Sequence, residues 1–342
     1  MSELELPSVD VVIPVYNAPE LTKCCIESVV TCLHQSIQHI LIQDDASDME
    51  TKEILEHLPY PQLSVYHAEK NQGFGATVND AVARSDADFV LVLNSDTEVD
   101  KDFLPLLCAA FVADPQLAVI SPASRGSIRY DSDRYMRRPG GHIQAFRFQG
   151  YAFLIRRKVF MEMGGFDPEF GRGYFEDTDL GRRLIQRGWC IGVHPDAYIH
   201  HKGGGSFGRG RAYRVLMQRN RDYYLSRYPE AHNNVLLISA CHTLTDLPVD
   251  LRSEIECVFE KGGNVHWLTP VSVPKLFCLQ MRNSSISLIT IVRLMLRGLL
   301  RVDKRVTTIW ILPDTPFFLR ALLVFFTPIR KLKIRRWALL QH

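Results

Sequence analysis

The side chains best suited to chemistry follow an apolar stretch in the segment FVLVLNSDTE, Phe89 to Glu98. Five apolar residues in a row without alternation predict a strand that is covered on both faces. Such a strand delivers Asn94, Ser95 and Asp96 to its carboxyl end, where open parallel sheets bind ligands. A carboxylate beside amide and hydroxyl oxygens suits Mg²⁺ or Mn²⁺ bridging a diphosphate. The alternative is that Asp96 only caps the turn into the next helix.

Two further polar groups follow two other predicted strands. Asp44 and Asp45 come after the strand Ile40 to Gln43, and Asn71 and Gly73 lie in the loop NQGFG. Gly73 permits close approach of the backbone to a phosphate, but the spacing of the glycines matches neither the Walker nor the dinucleotide fingerprint. An ordinary loop is therefore the alternative. Because these groups follow successive parallel strands, we expect them to meet at one crevice.

A third acidic group opens a predicted helix in GYFEDTDLGRRL. Glu176, Asp177 and Asp179 crowd its first turn, which suits a general base and equally suits the electrostatics of a helix start. Further along, His200 and His201 precede three glycines, a pattern that is not typical of a core. One of these histidines is a candidate ligand.

The segment from Arg125 to Gln149 is basic and shows little periodicity. It predicts either a mobile lid over an anionic substrate or a solvated loop. Its basic residues are Arg125, Arg129, Arg134, Arg137, Arg138, His142 and Arg147.

Strands and helices alternate with short connections from Val9 onward. This order predicts an α/β fold with a mostly parallel, doubly wound sheet. Beyond Pro229 the alternation resumes without a glycine-rich phosphate loop. We therefore predict two domains, residues 1–230 with the ligand crevice and residues 231–342 as a small, partly Rossmann-like α/β region.

Composition indicates a globular chain of one large and one smaller domain: 342 residues, 46% hydrophobic, with a net charge of +2. This balance gives no indication of a nucleic-acid partner. The eight cysteines show no CxxC spacing, which indicates a reducing compartment and hence a cytoplasmic location. We expect neither a signal peptide at the amino terminus nor a membrane span, because no apolar run is long enough for one.

The carboxyl-terminal segment differs in character, because PFFLRALLVFF is followed by the basic IRKLKIRRW. Apolar residues next to Arg330, Lys331, Lys333, Arg335 and Arg336 predict a helix lying on anionic lipid. A core helix followed by a solvated basic tail is the alternative.

Seven motifs carry a resemblance to a known family. In order they are VVIPVYN, DDASD, NQGFGATVN, LVLNSDTEV, GGFDPEF, EDTDLGRR and HKGGGS. Together they resemble the family 2 glycosyltransferases with the GT-A nucleotide-sugar fold, most closely the rhamnosyl- and galactofuranosyltransferase-like members. The resemblance covers about residues 8 to 228.

The resemblance implies a role for each matching residue. A nucleotide-sugar donor linked to UDP or dTDP would lie along Pro14, Val15, Tyr16, Asp44, Asp45, Asn71, Gly73, Asn94, Ser95 and Asp96. Asp96 and His201, with Ser206 five residues on, would hold Mn²⁺ or Mg²⁺. The family pattern has an acid where this chain has Asn94, so Asp96 would carry most of the metal binding. Asp177 would be the catalytic base, and its helix start is expected to keep its pKa low.

The function expected from this resemblance is inverting, metal-dependent transfer of a hexosyl group to a saccharide or lipid-linked acceptor in polysaccharide or glycolipid biosynthesis. The enzyme would be cytoplasmic, with peripheral contact at the inner membrane face. Two alternatives are a nucleotidyltransferase of similar fold and a catalytically idle protein that binds nucleotide sugars or acts as a scaffold. VYNAPE lacks the basic residue in a glycine-rich loop that the first would need, and only Asn94 favours the second.

Overall fold

A computed structural model describes residues 7–124, 137–203, 210–241, 246–270, 280–300, 305–315, 317–330 and 332–337. These residues fall into two compact units, of which the first ends at Tyr224 and the second begins at Leu225. In these ranges no helix is both long and apolar enough to cross a bilayer. Each unit is built around its own sheet.

The first unit contains nine strands among the described residues. They are β1 (Val9–Val15), β2 (Ile40–Asp44), β3 (Leu63–His67), β4 (Phe89–Leu93), β5 (Thr97–Glu98), β6 (Leu117–Ser124), β7 (Ile143–Ala145), β8 (Ala152–Arg156) and β9 (Cys190–His201). Its helices are α1 (Pro19–Leu33), α2 (Met49–Glu56), α3 (Phe74–Arg84), α4 (Leu104–Ala113), α5 (Arg157–Glu162), α6 (Glu176–Gln186) and α7 (Arg211–Arg227), the last of which runs to the boundary of the unit.

The sheet of the first unit has the strand order β3-β2-β1-β4-β8-β6-β9-β5, with β7 paired to β9. The strands β3, β2, β1 and β4 are parallel, β8 is antiparallel to both of its neighbours, and β6 is parallel to β9. Carboxyl ends of β1, β2 and β4 therefore share one edge. The α/β, GT-A-like fold class predicted from the sequence is confirmed.

Helices cover both faces of this sheet, as a doubly wound arrangement requires. Phe89, Leu91 and Leu93 of β4 pack into the cluster that contains α1, α2 and α4. Val90 and Val92 of the same strand pack into the cluster that contains α3, α5 and α6. Burial on both sides explains why β4 is apolar throughout instead of alternating.

The second unit is a parallel sheet of the described strands β10 (Asn234–Ile238), β11 (Asn264–Thr269), β12 (Met281–Ser285), β13 (Thr308–Ile311) and β14 (Lys333–Arg336). Its helices are α8 (Val249–Glu260), α9 (Leu288–Leu300) and α10 (Phe317–Arg330). The strand order β12-β11-β10-β13-β14 is that of a Rossmann fold up to its fifth strand. The unit therefore contains more of that fold than the small, partly Rossmann-like region predicted.

The basic segment near the carboxyl terminus is part of this sheet. The residues of β14 pair in parallel with β13, from Thr308 opposite Lys333 to Ile311 opposite Arg336. Arg335 also pairs with Glu254 of α8 at 3.2 Å. The prediction of a lipid-bound basic helix is wrong for Lys333–Arg336, and so is the alternative of a solvated tail. Lys331 lies outside the described residues.

Candidate active site

A cavity of about 520 Å³ opens at the carboxyl ends of β1 and β4 and at the start of α6. It is lined by eleven of the twelve donor-site, metal-site and catalytic residues predicted from the sequence. Those residues are Pro14, Val15, Tyr16, Asp45, Asn71, Gly73, Asn94, Ser95, Asp96, Asp177 and His201. Asp44 is the one predicted residue that does not line it. Ser206 lies outside the described residues.

Asp44 is turned away from the cavity and is fully buried. One of its oxygens accepts the backbone N–H of Ser47 at 3.0 Å, and the other lies 2.8 Å from Nδ1 of His67. Asp44 therefore does not line the cavity in which a nucleotide would bind. Its bonds fix the turn after β2 and tie that turn to β3.

Asp45 lines the cavity and also holds the NQGFG loop. Its Oδ1 accepts the backbone N–H of Gln72 at 2.6 Å, and its Oδ2 accepts that of Gly73 at 2.9 Å. The side-chain amide of Asn71 donates to the Asp45 carbonyl at 3.3 Å. Burial raises the pKa of Asp45. The acid therefore shapes the loop on which a nucleotide would lie.

Gly73 occupies a position where a side chain has no room. Its φ is +89°, and a Cβ there would overlap the backbone of Gly171 and Arg172. The NQGFG loop therefore packs directly on the segment that leads into α6. This is the close approach for which a glycine is required.

Asp96 and His201 form the one pair of candidate metal ligands that the fold brings together. Oδ1 of Asp96 lies 3.2 Å from Nε2 of His201, and the Tyr151 ring stacks on the imidazole at 4.2 Å. His200 points elsewhere and pairs with Asp100 at 2.9 Å. The sequence alone left the choice between the two histidines open. Because side chains alternate along β9, His201 lies beside Asp96 and His200 points the other way.

This pair fits part of a Mn²⁺ or Mg²⁺ site. A carboxylate oxygen and an imidazole nitrogen both suit Mn²⁺. Within the described ranges, however, no group of three or more His, Cys, Asp or Glu side chains could hold a metal ion. A cation at this place would therefore need further oxygen ligands from the diphosphate of a donor and from water.

Asn94 stands where the resemblance implies a second acid. Its backbone N–H donates to the Tyr151 carbonyl at 2.8 Å, and its carbonyl accepts the hydroxyl of Thr97 at 2.7 Å. The side-chain Oδ1 is buried in the cavity wall and has no hydrogen-bond partner. Beside it Ser95 is almost fully buried. An unpaired amide oxygen at this place is a polar group that a ligand would satisfy.

Asp177 lines the same cavity as Asp96 and His201, at the second position of α6. Its Oδ1 accepts the backbone N–H of Thr178 at 2.7 Å. A Cβ on Gly150 would come within 2.9 Å of its Oδ2, so the absence of a side chain at residue 150 leaves the space that the carboxylate occupies. Burial raises the pKa of Asp177, while Thr178 and Arg147 act in the opposite direction. The expectation of a low pKa is wrong, because burial outweighs the helix start.

Glu176 precedes Asp177 and is 6% exposed. Burial, followed by the neighbouring Asp177, raises the pKa of Glu176 to about 8. Its Oε2 has no hydrogen-bond partner in the described structure. The raised pKa favours the protonated form of Glu176 at neutral pH, which makes Asp177 the better candidate for a carboxylate that accepts a proton.

Glu176→Gln is expected to remove a pH dependence of stability. The folded chain keeps the Glu176 proton up to about pH 8, whereas the unfolded chain releases it near the ordinary pKa of 4.5. The unfolded state binds fewer protons over this interval, so the free energy of unfolding falls as pH rises through it, by at most about 1.4 kcal/mol per pH unit. Urea titrations at several pH values measure this slope.

The control for this experiment is Glu53→Gln, an exposed position on α2. It should keep the slope of the wild type. An equal slope in Glu176→Gln and in the wild type would show that Glu176 is ionised in the folded chain.

Asp179 has a structural role. It is fully buried, and its Oδ2 accepts the Nε of Arg183 at 2.7 Å. Arg183 also donates to the carbonyls of Met163 and Gly165. This network anchors α6 to the turn after α5. Asp179 is therefore not available to accept a proton in the cavity, whereas Asp177 lines it.

Of the basic segment predicted as a lid, residues 125–136 lie outside the described structure. Arg137 pairs with Asp196 at 2.7 Å, Arg138 donates to Gln144, and His142 is buried beside Asp114. Arg147 lines the cavity. Among the described residues of the segment, Arg147 is thus the one that could meet an anionic ligand.

Sequence reasoning missed most of the aromatic wall of the cavity. Tyr151, Tyr174 and Phe175 line it, together with Arg172 and Met217. Tyr174 and Phe175 have φ values of 73° and 78°, a conformation that costs energy in residues other than glycine. Burial raises the pKa of Tyr174 to about 12, so its hydroxyl remains a proton donor. Aromatic residues before the EDTD motif carried no spacing that could have identified them.

Comparison with known proteins gives one family match and several relatives. Residues 10–168 match the family described as Glycosyl transferase family 2. The N-acetylglucosaminyl-diphospho-decaprenol L-rhamnosyltransferase of Mycobacterium tuberculosis (strain CDC 1551 / Oshkosh) is 28% identical over 206 residues. That alignment covers 48% of this chain and 66% of the relative, so the chain spans slightly less than two thirds of the relative's length.

Two solved structures have a similar fold. The mannosyltransferase PcManGT from Pyrobaculum calidifontis, in complex with GDP-Man and Mn²⁺, has a TM-score of 0.51 at 18% identity, over 66% of this chain and 64% of that one. GalNAc-T7 with UDP, GalNAc and Mn²⁺ has a TM-score of 0.52 at 15% identity, over 75% of this chain and 55% of that one. These likenesses support the fold. Residues 10–168 are thus similar to glycosyl transferase family 2, and the chain has the GT-A fold.

Proposed function

We propose that residues 1–230 transfer a hexosyl group from a nucleoside-diphosphate sugar to an acceptor hydroxyl, with inversion at the anomeric carbon. One observation carries this proposal: a single cavity is lined by the Asp96–His201 pair and by Asp177. The first can meet a metal-bound diphosphate, and the second can accept a proton. A transferase needs these two functions close together.

Asp177 acts as the base in this proposal. It accepts the proton of the acceptor hydroxyl as the oxygen of that hydroxyl attacks the anomeric carbon and the nucleoside diphosphate departs. Since the protonated form of Glu176 is favoured at neutral pH, Asp177 is the better candidate for this step. Asp177 as the base among the described residues supports direct displacement and therefore inversion.

The donor would lie between two walls. Its base and ribose would contact Pro14, Val15 and Tyr16, with Asp45 holding the loop along which the nucleotide extends. Asp96 and His201 would hold a Mn²⁺ or Mg²⁺ ion, whose chemistry is to neutralise the charge of the departing diphosphate. Arg147 and Arg172 add cations to the cavity wall. We propose a UDP- or dTDP-linked sugar as donor.

The acceptor and the location complete the proposal. The rhamnosyltransferase relative is named for a diphospho-decaprenol acceptor, which supports a saccharide or lipid-linked acceptor in polysaccharide or glycolipid assembly. Such an acceptor would place this enzyme in the cytoplasm with peripheral contact at the inner membrane face. Residues 231–342, without a glycine-rich phosphate loop, would support or locate the transferase domain.

Nucleotide sugars with Mn²⁺ are expected to stabilise the protein against heat. A ligand at a hundredfold excess over its Kd adds about 2.7 kcal/mol to the free energy of unfolding. Thermal melts with UDP- and dTDP-sugars, with and without Mn²⁺, measure this and identify the donor. Release of nucleoside diphosphate in the stabilising mixture then distinguishes an enzyme from an idle binder. Absence of stabilisation by every nucleotide sugar would contradict the proposal.

A further inference from the structure

The two faces of the sheet in the second unit differ in what covers them. Leu236 and Ile238 of β10 pack in one cluster with Ile291 of α9 and Leu319 of α10. Helices α9 and α10 therefore lie on the same face. The connections through α9 and α10 run across the sheet from β12 to β13 and from β13 to β14, whereas the connection through α8 runs the other way, from β10 to β11. Because all of these crossovers are right-handed, α8 lies on the other face.

Contacts of β14 agree with this assignment. Ile334 packs against the cluster of α9 and α10, whereas the next residue, Arg335, pairs with Glu254 of α8. Side chains alternate between the faces of a strand. The α8 side and the α9–α10 side of the sheet are thus opposite surfaces of the unit.

The outer side of α9 and α10 is apolar, although solvent-facing sides of helices are ordinarily polar. Ile289 is 81% exposed and Phe317 is 84% exposed. We define the α9–α10 surface by six exposed apolar residues: Leu288, Ile289, Leu296, Phe317, Phe318 and Val324. An exposed apolar group of this kind marks an interaction site.

The helices on the two sides of the sheet also differ in their acidic residues. The sequences of α9 and α10 contain no acidic residue, whereas α8 contains Asp250, Glu254, Glu256 and Glu260. Arg293 is exposed among the apolar residues of α9. By alternation along β12 and β14, the exposed Arg282 and Arg336 extend from the two edges of the sheet on the same side.

We propose that the α9–α10 surface docks on a bilayer that contains anionic lipid. Its apolar side chains would enter the interface, while its arginines would meet the headgroups. A second copy is a poor occupant, because two such surfaces face to face would bring arginines together without an acid between them. The proposal identifies the surface for the peripheral membrane contact of the proposed function, and it holds or fails without any transfer activity.

This surface differs from the one that the sequence predicted. The earlier expectation combined the apolar residues of α10 with the basic segment that forms β14, and it did not include α9. Truncation near Asp314 would remove α10 and β14 from the folded sheet, so it cannot test the docking. Single substitutions at exposed positions can test the docking.

The test uses the full chain with Ile289→Glu, Phe317→Glu and, as the matched control, Val249→Glu. Val249 is exposed on α8, on the opposite face, and its substitution makes the same change in charge. Co-sedimentation is measured with phosphatidylcholine vesicles that contain or lack phosphatidylglycerol. We expect the wild type and Val249→Glu to bind the anionic vesicles at low salt and to detach at high salt. Each of the other two should lower the partition coefficient roughly tenfold.

A further variant tests the charge separately, and thermal melts test for misfolding. Arg293→Glu leaves the apolar residues in place and should also weaken binding to the anionic vesicles. Thermal melts of all variants should match the wild type, because the replaced side chains are exposed, and stabilisation by nucleotide sugars should be unchanged. That last measurement separates failure of the docking from failure of the proposed function.

Three results would overturn the proposal. One is equal binding by the wild type and the Ile289→Glu, Phe317→Glu and Arg293→Glu variants. Another is no binding of the wild type to anionic vesicles. The third is a wild-type dimer that Phe317→Glu converts to monomer, because the α9–α10 surface would then join two copies of the chain.

Discussion

Asp177→Asn lowers kcat by about 10²-fold or more, with donor affinity barely changed, if Asp177 is the base. Asparagine keeps the size of the side chain and can still accept the N–H of Thr178, which the carboxylate accepts at 2.7 Å. It cannot take a proton from an acceptor hydroxyl. Steady-state kinetics and calorimetry of nucleotide binding measure the two quantities separately.

The pH profile of the wild type adds a second measurement. Because burial raises the pKa of Asp177, the base form is lost on acidification at a higher pH than for an ordinary aspartate. Activity should therefore fall on the acid side of the profile, and this limb should be absent from the residual activity of Asp177→Asn. Near wild-type turnover in that variant would transfer the role to Glu176. Asp179, bound to Arg183 away from the cavity, is not a candidate.

Asp96→Ala is expected to abolish the metal-dependent part of donor binding and to leave the fold intact. Its carboxylate pairs with His201 at the cavity wall and contributes charge rather than apolar packing. Titration of a nucleoside diphosphate in Mn²⁺ and in EDTA should give two different affinities for the wild type and one affinity for the variant.

A matched control lies on the same two segments of the chain. Asp100 and His200 form a second acid–histidine pair, with Oδ2 and Nε2 2.9 Å apart, but neither residue lines the cavity. Asp100→Ala removes the same group from the same kind of pair and should retain the Mn²⁺ dependence. If Asp96→Ala kept the wild-type affinity in Mn²⁺, the pair would not be part of a metal site.

The strands of the first unit could be predicted because burial on both faces gives an unmistakable pattern. The apolar run Phe89–Leu93 is β4, and β2 is the predicted strand Ile40 to Gln43 extended by Asp44. Most of the predicted residues that line the cavity could then be identified as well, because the carboxyl ends of parallel strands share an edge. The sequence could not separate Asp44 from Asp45, because adjacent residues point to opposite sides and nothing local states which side faces the ligand.

Other elements have no such pattern. β9 runs from Cys190 through Pro195 to His201, and its length cannot be read from the sequence because a proline and polar residues interrupt its apolar pattern. β12 and β14 have the sequences MRNSS and KIRR. As edge strands they tolerate charged and polar residues that local reasoning assigns to loops or tails. Their place depends on partners distant in the sequence.

The backbone contact between Gly73 and the Gly171–Arg172 segment also limits how this enzyme could be re-engineered. In the proposed function, a change of donor specificity would begin in the loop around Asn71, which contacts the segment that carries the aromatic residues before α6. Here the two segments touch backbone to backbone, with no side chain between them to absorb a shift. Libraries that vary one wall alone will therefore be dominated by variants that displace Asp177, whereas libraries that vary both walls together can preserve its placement.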